Sequence, residues 1–391
     1  MRCASPITDH QLAIKSPMEN LTDLMESIDQ QIDELINEDQ YQYTDAEKEQ
    51  KLLPIVRAQL KSHYQNNAHV RSWLDKLKID IDAIKSLADV PVLPTQMFKY
   101  FDLQTSVGEL QRTLYSSATT SQTPSRIPIS KLTARRQSKA LLSIIKNFIP
   151  GKRRPFLVID SEASNKASAG ITARGAAIRG FSIIAKEQVY AFDDVDGKLV
   201  FNKERVVDFF ERYGDQPVFS MGFTFIIWSE FLKAMREHNL SFNAPELVMV
   251  HGGGWKKLIA QSVSKEVFSE TIAGLFNAKA HHILDFYGMV EQTGVVFIDC
   301  EKGYKHAANF AEVLIRNPLT LKANGIGEPG MIEIMNVLPD SYPGMSVLTE
   351  DMGEILGVDD CPCGRKGKYF VFRSRMEKSE SRGCGDTFRE N

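Results

Sequence analysis

The sequence predicts an α/β fold, and two observations carry that prediction. Short apolar runs ending in glycine or an acid recur along the chain, among them PFLVID (Pro155 to Asp160), ELVMVHGGG (Glu246 to Gly254) and HHILDFYG (His281 to Gly288). Between them lie stretches with the spacing of helices, such as residues 131–147 and SEFLKAMREHN (Ser229 to Asn239). Runs of four to eight apolar residues bounded by turn formers read as buried strands, and three- and four-residue spacing reads as a helix with one apolar face. Such alternation builds a sheet with loops at its strand ends, where ligands of α/β proteins usually sit.

Taken in order, Leu24, Met25, Ile28, Ile32, Leu35 and Ile36 place an amphipathic helix over residues 21–37, and a second helix is expected over 45–66. Two prolines interrupt ADVPVLPTQMFK (Ala88 to Lys99), predicting an extended connector that carries Met97 and Phe98 into the core. This helical lead-in reaches about residue 90. A helix over 131–147 and the strand PFLVID follow. AAIRGFSII (Ala176 to Ile184) and FSMGFTFIIW (Phe219 to Trp228) are read as further strands, and GVVFI (Gly294 to Ile298) as another. After Asp351 the composition shifts toward Gly, Cys, Lys and Arg. The expected organisation is therefore one large domain over 1–351 and a short C-terminal module over 352–391.

Bulk properties narrow the function. With 47 basic against 50 acidic residues the net charge is −3, which gives no field for nucleic acid or an anionic membrane. The longest apolar runs fall far short of the roughly 20 residues of a membrane helix. Residues 1–20 carry Asp9, Lys15 and Glu19 with no apolar core between them, unlike a secretory signal. The five cysteines, Cys3, Cys300, Cys361, Cys363 and Cys384, are odd in number and three crowd the end, unlike a disulfide framework. A reducing cytoplasm is the expected home.

Four loop features could carry chemistry. YSSATTSQTPSR (Tyr115 to Arg126) packs hydroxyls at Ser116, Ser117, Thr119 and Thr120, which fits a loop around a polyphosphate and equally a solvated turn. HGGGWKK (His251 to Lys257) follows an apolar strand, and Gly252, Gly253 and Gly254 would let a flat ligand lie on bare backbone, unless they only form a tight turn. In FYGMVEQTG (Phe286 to Gly294), Tyr287 offers a ring face to a base, Gly288 clears space, and Glu291 could approach phosphate-bound Mg²⁺. The alternatives are a core tyrosine and a solvated charge. In SVLTEDMGEI (Ser346 to Ile355), Asp351 closes a strand where it could accept from both hydroxyls of a ribose, or simply enter a hairpin. His251 is either a lining residue of the acyl or adenylate pocket or a core histidine satisfied by backbone.

The order of these segments resembles the adenylate-forming superfamily, with SSATTSQTPS as its phosphate loop, HGGGW as its adenine-side glycines, YGMVE as its Tyr-Gly-x-x-Glu motif and Asp351 of TED as its ribose acid. Within it the chain is most similar to the acyl-protein synthetase, or LuxE-type, family, with phenylacetate–CoA ligases as cousins. HYQNN (His63 to Asn67), VPVLPTQMFK, TARGAAIRGF, GFTFIIW, HGGGWKK and CPCGRKG…RGCGD support this over roughly residues 55–391. The resemblance implies an adenylate-forming large domain with a truncated C-terminal module. It implies that ATP and Mg²⁺ activate a carboxylic acid, fatty by family expectation, which is then passed to a thiol. Ser116, Ser117, Thr119 and Thr120 would hold phosphates, Gly252 to Gly254 and Tyr287 adenine, Glu291 the metal and Asp351 ribose. Ala118 and Ser121 stand where the family commonly has glycine, and Val290 where it commonly has Thr.

Only 40 residues follow Asp351, which looks like the family pattern in which the enzyme's own thiol takes the acyl group. Cys384, near Arg375, Lys378 and Arg382, is the candidate acceptor. Cys361 and Cys363 could join Cys384 and a histidine around zinc, but CPCGR is read first as a turn that brings Arg365 to the nucleotide, with Cys3 and Cys300 as bystanders. Rival readings are a ligase whose acceptor is coenzyme A, an amine or a carrier protein, and a non-catalytic nucleotide-binding subunit. An acyl reductase or acyl carrier is the implied protein partner.

Overall fold

A computed structural model describes residues 17–105, 109–115, 124–166, 173–255 and 260–376. A two-residue strand, β1 (Leu93–Pro94), and a hairpin, β2 (Leu110–Tyr115) with β3 (Arg126–Ser130), precede two larger sheets. The first contains β4 (Arg154–Ser161), β5 (Ala185–Val195), β6 (Lys198–Phe201), β7 (Phe219–Phe223), β8 (Val248–Gly252), β9 (Ile283–Tyr287) and β10 (Phe297–Ile298). Its order is β10-β9-β8-β7-β4-β5-β6, parallel from β9 to β5 with an antiparallel strand at each edge. Its central strands are buried throughout, as a sheet covered on both faces requires.

The second sheet is antiparallel: β11 (Lys305–His306), β15 (Lys368–Arg375), β14 (Val347–Val358), β13 (Gly330–Asn336) and β12 (Ala311–Arg316), with β1 added parallel to β14. The strand β14 runs unbroken across the boundary expected at 351/352, and residues up to Met376 complete this sheet. Residues 377–391 lie outside the described part.

The lead-in helices fall where periodicity places them, at Pro17–Asn37 and Asp45–Asn66. The second begins at Thr44 because its side chain accepts from the Glu47 amide while the Glu47 carboxylate accepts from the Thr44 amide at 2.9 Å. Gln59 then ties that helix to the second sheet's connections, donating to the carbonyls of Val337 and Pro339 at 2.9 and 3.1 Å. The connector behaves as expected, with Phe98 fully buried on a short helix, Met97–Tyr100.

One expected strand is a helix, and another is a strand only in its first half. AAIRGFSII falls in the helix Ala173–Phe181 and the turn after it, because Ile178 and Phe181, three apart, both bury against the sheet; the Phe181 ring lies 5.9 Å from that of Phe219. In FSMGFTFIIW the strand stops at Phe223 and helical backbone begins at Thr224, running through a π turn at Ile227–Phe231. Ile226, Ile227 and Phe231 pack as one buried face, so tertiary burial overrides the strand preference of β-branched and aromatic residues. No described helix is long and apolar enough to cross a membrane.

Candidate active site

The ends of β8 and β9 and the middle of β14 meet where the two sheets adjoin. Strand β8 delivers His251 and the glycines. A side chain at Gly252 would stand 2.6 Å from the Phe286 carbonyl of the neighbouring strand, so only glycine permits that approach. Gly253 and Gly254 turn the chain with φ of +78° and +60°.

Strand β9 ends at Tyr287, whose hydroxyl donates to Asp351 Oδ2 at 2.8 Å. Burial, with Asp351 as a second cause, pushes the Tyr287 pKa well above its ordinary value, so the phenol keeps its proton as a donor. Arg375 Nε donates to the other carboxylate oxygen at 3.1 Å, and the Thr349 hydroxyl accepts from the Asp351 amide at 3.1 Å. The aromatic bed of Tyr287 is Phe372 at 5.7 Å and Phe297 at 6.1 Å between ring centroids. Gly288 has ordinary packing space, with Val296 3.4 Å from where a Cβ would stand.

Glu291 follows on a 3₁₀ turn and is 6% exposed. Burial raises its pKa, opposed by a hydrogen bond from the Ser125 side chain and by Lys99. Its main chain is held too, with the Tyr342 hydroxyl donating to the Glu291 carbonyl at 3.1 Å. Ser116, Ser117, Thr119 and Thr120 lie outside the described residues, as does Cys384. The hairpin that flanks the hydroxyl segment pairs through Tyr115 and Arg126, and Ser125 at its foot touches Glu291.

His251 is buried, with its ring 4.4 Å from Phe268. The Thr224 hydroxyl donates to the Gly252 carbonyl at 3.1 Å, which leaves its lone pair to accept from His251 Nδ1 at 3.0 Å. His251 Nε2 has no partner among the described residues. Burial lowers its pKa to about 4, against an opposing pull from Asp285, so the ring is neutral at neutral pH.

The structure thus brings Gly252, Gly253, Gly254, His251, Tyr287, Gly288, Glu291 and Asp351 to one set of strand ends. It does not bring Arg365 there. That guanidinium donates to Glu301 at 2.7 Å and lies over the rings of Phe148 and Tyr41, beside Cys363. Sequence reasoning also missed Arg375 as a partner of Asp351, although the two are register partners in β14 and β15.

The family model for LuxE acyl-protein synthetases matches residues 17–391. This chain belongs to that family. The acyl-protein synthetase fold here is that of adenylate-forming ligases: a 2-hydroxyisobutyryl-CoA ligase bound to its acyl-AMP superposes with a TM-score of 0.66 at 14% identity, over 85% of this chain and 69% of that one. An open form of the same ligase gives 0.64, over 85% and 76%. Among curated relatives, a long-chain-fatty-acid–luciferin-component ligase of Aliivibrio fischeri is 24% identical over 334 residues, 84% of this chain and 85% of its own. One of Vibrio harveyi is 26% identical over 355 residues, 88% of each chain. As an acyl-protein synthetase the chain is a ligase that uses ATP to activate a carboxylic acid.

Proposed function

We propose that the acid is a long-chain fatty acid, that Mg²⁺ accompanies the nucleotide, and that Cys384 receives the acyl group. The observation that carries this reading is the Tyr287–Asp351 hydrogen bond, with Glu291 nearby in sequence and Ser125 against it. It supports one cleft in which base, ribose and phosphates have separate receivers.

A free carboxylate resists thiols because oxide is a poor leaving group. One carboxylate oxygen of the acid therefore attacks the α-phosphorus of ATP, the bond to pyrophosphate breaks, and the mixed anhydride with AMP results. The Cys384 thiolate then attacks the acyl carbon and AMP departs with the bonding electrons. Tyr287 and the glycines Gly252 to Gly254 receive the adenine, and Asp351, already oriented by Tyr287 and Arg375, accepts from the ribose hydroxyls. Ser116, Ser117, Thr119 and Thr120 hold the phosphates. The buried Glu291 carboxylate would suit Mg²⁺; that ion, when bound, would neutralise phosphate charge. Preset donors of this kind supply much of the rate in such reactions.

His251 Nε2, buried and free to accept, fits the wall of the acyl pocket. Bound thioesters and free thiols suit a reducing cytoplasm, and a reductase that consumes the acyl group is the partner this chemistry calls for. The decisive experiment is intact-mass spectrometry after incubation with ATP, Mg²⁺ and a mixture of carboxylic acids. The reading expects one long-chain acyl adduct on Cys384, absent in Cys384→Ser, while pyrophosphate exchange persists in that variant. Turnover with coenzyme A and no protein adduct would instead favour a coenzyme A ligase.

A further inference from the structure

Outside the nucleotide cleft, four side chains converge that the proposed reaction does not use. Cys300, His306, Cys361 and Cys363 bring their three sulfurs and one ring nitrogen within 4.8 Å of one another. Cys300 and His306 flank the short connection from β10 to β11, and Cys361 and Cys363 sit in the turn from β14 to β15. His306 and Cys300 are buried, as is Cys361, and Cys363 is half-buried. Cys363 Sγ and His306 Nε2 are 3.4 Å apart. Ordinary Zn–S and Zn–N bond lengths in a tetrahedron put such a pair about 3.6 Å apart.

The two loops share a design. In Cys300–Gly303 and Cys361–Gly364 the first carbonyl accepts from the amide three residues on, at 2.7 and 2.9 Å, and the closing glycine has positive φ. Each sulfur also faces the amide two residues ahead: Lys302 for Cys300 at 3.4 Å, Cys363 for Cys361, and Arg365 for Cys363. Three amides aimed at three sulfurs favour thiolates over thiols. Yet three thiolates cannot share so small a buried space without a cation among them.

We infer that Cys300, His306, Cys361 and Cys363 form a structural zinc site that pins the join between the two sheets. Binding releases the thiol protons of the three cysteines, and His306 gives its Nε2 lone pair while Nδ1 keeps the ring proton. A Cys₃His set closes the tetrahedron, leaving no open position for substrate. Soft sulfur with one imidazole selects zinc over Mg²⁺ or Ca²⁺. The site carries one net negative charge, and Arg365, hydrogen-bonded to Cys363, balances it. This gives Arg365 a place that the nucleotide does not require. It also explains how β14 and β15, which bear Asp351 and Arg375, are fixed against β9, which bears Tyr287. Cys384 stays outside the set and remains available for acyl transfer.

Elemental analysis of the full-length protein, purified without chelator, tests the inference independently of any activity. The expected result is one zinc per chain, retained in Cys3→Ser and Cys384→Ser and lost in Cys300→Ser and Cys363→Ser. Should those variants fail to fold, the wild type still decides the matter. Mercurial titration should release zinc in step with thiol loss, and cobalt substitution should give the intense visible bands of a tetrahedral thiolate site. Substoichiometric metal that zinc or cobalt under reducing conditions does not restore would overturn the inference. So would a disulfide among these cysteines in freshly isolated protein, or zinc lost in Cys384→Ser and kept in Cys300→Ser.

Discussion

The Tyr287 hydroxyl bonds to Asp351 Oδ2 at 2.8 Å, joining the last parallel strand of one sheet to the long strand of the other. The bond fixes the carboxylate in advance, which under the proposed ribose role would lower the ordering cost of binding. Tyr287→Phe removes one donor and leaves Arg375 on Oδ1. A lost hydrogen bond of about 1 kcal/mol corresponds to roughly fivefold in affinity. The KM for ATP in pyrophosphate exchange should rise by about that factor with kcat little changed. Asp351→Ala should cost at least about tenfold, because both ribose contacts go. An unchanged KM for ATP in Asp351→Ala would remove Asp351 from the nucleotide site.

That pair also shows what a sequence can and cannot disclose. Tyr287 and Asp351 stood out because they close apolar runs in the motif order that resembles the adenylate-forming superfamily; alone, each read as readily as a core tyrosine or a hairpin acid. Arg375 did not stand out, since its role depends on the register of β14 against β15, where Asp351 and Arg375 are partners. Cys300 was passed over for the same reason: the two cysteines beside it lie about 60 residues on and meet it only through the pairing of β11 with β15. The stretch from Thr224 to Trp228 misled because its side chains favour strands while its burial is helical.

The glycine turn after β8 should tolerate substitution unequally. Gly254 has φ of +60° with open space around it, so Gly254→Ala should cost about 1 kcal/mol for the left-handed backbone alone. Gly253 combines φ of +78° with a Phe223 ring carbon 2.7 Å from the new Cβ. Gly253→Ala should therefore lose roughly 1–3 kcal/mol more, as overpacking does. Denaturant unfolding measures the difference, and equal losses would mean that the ring moves aside freely.

Acid should destabilise the fold before carboxylates titrate. Burial lowers His63 from 6.5 to about 3, and burial likewise lowers His251 to about 4. Below the ordinary value the unfolded chain takes up protons that the native chain refuses. This stability is present above about pH 6.5 and is lost as pH falls toward 4, by about 1.4 kcal/mol per unit for each ring. Urea unfolding at about pH 7.5 and 5.5 should show it, and His63→Asn should flatten the slope by one histidine's share. An identical slope in wild type and variant would show that His63 takes a proton in place.

A charge cluster lies behind His251. Lys305 Nζ reaches Asp285 Oδ2 at 2.7 Å and Asp299 Oδ1 at 2.8 Å, and its own side chain is 4% exposed. Burial alone would lower its pKa; the two carboxylates outweigh burial and hold it raised, so the ammonium stays charged. Lys265 also pairs with Asp299, whereas Asp285 is left facing the neutral His251 at 3.7 Å. Lys305→Met therefore strands the Asp285 carboxylate; because that side chain is 32% exposed, the cost should fall below the roughly 3–5 kcal/mol of breaking a fully buried pair. The strand pairing of β8 with β9 places that loss directly beneath the glycine turn, so nucleotide binding should weaken along with stability. Adding Asp285→Asn removes the stranded charge and should recover much of the unfolding free energy, and histidine NMR on Lys305→Met alone should show the His251 pKa rising from about 4 toward its partner's unbalanced charge. If the double variant is no more stable than Lys305→Met, the loss comes from packing around the lysine stem rather than from the unpaired carboxylate.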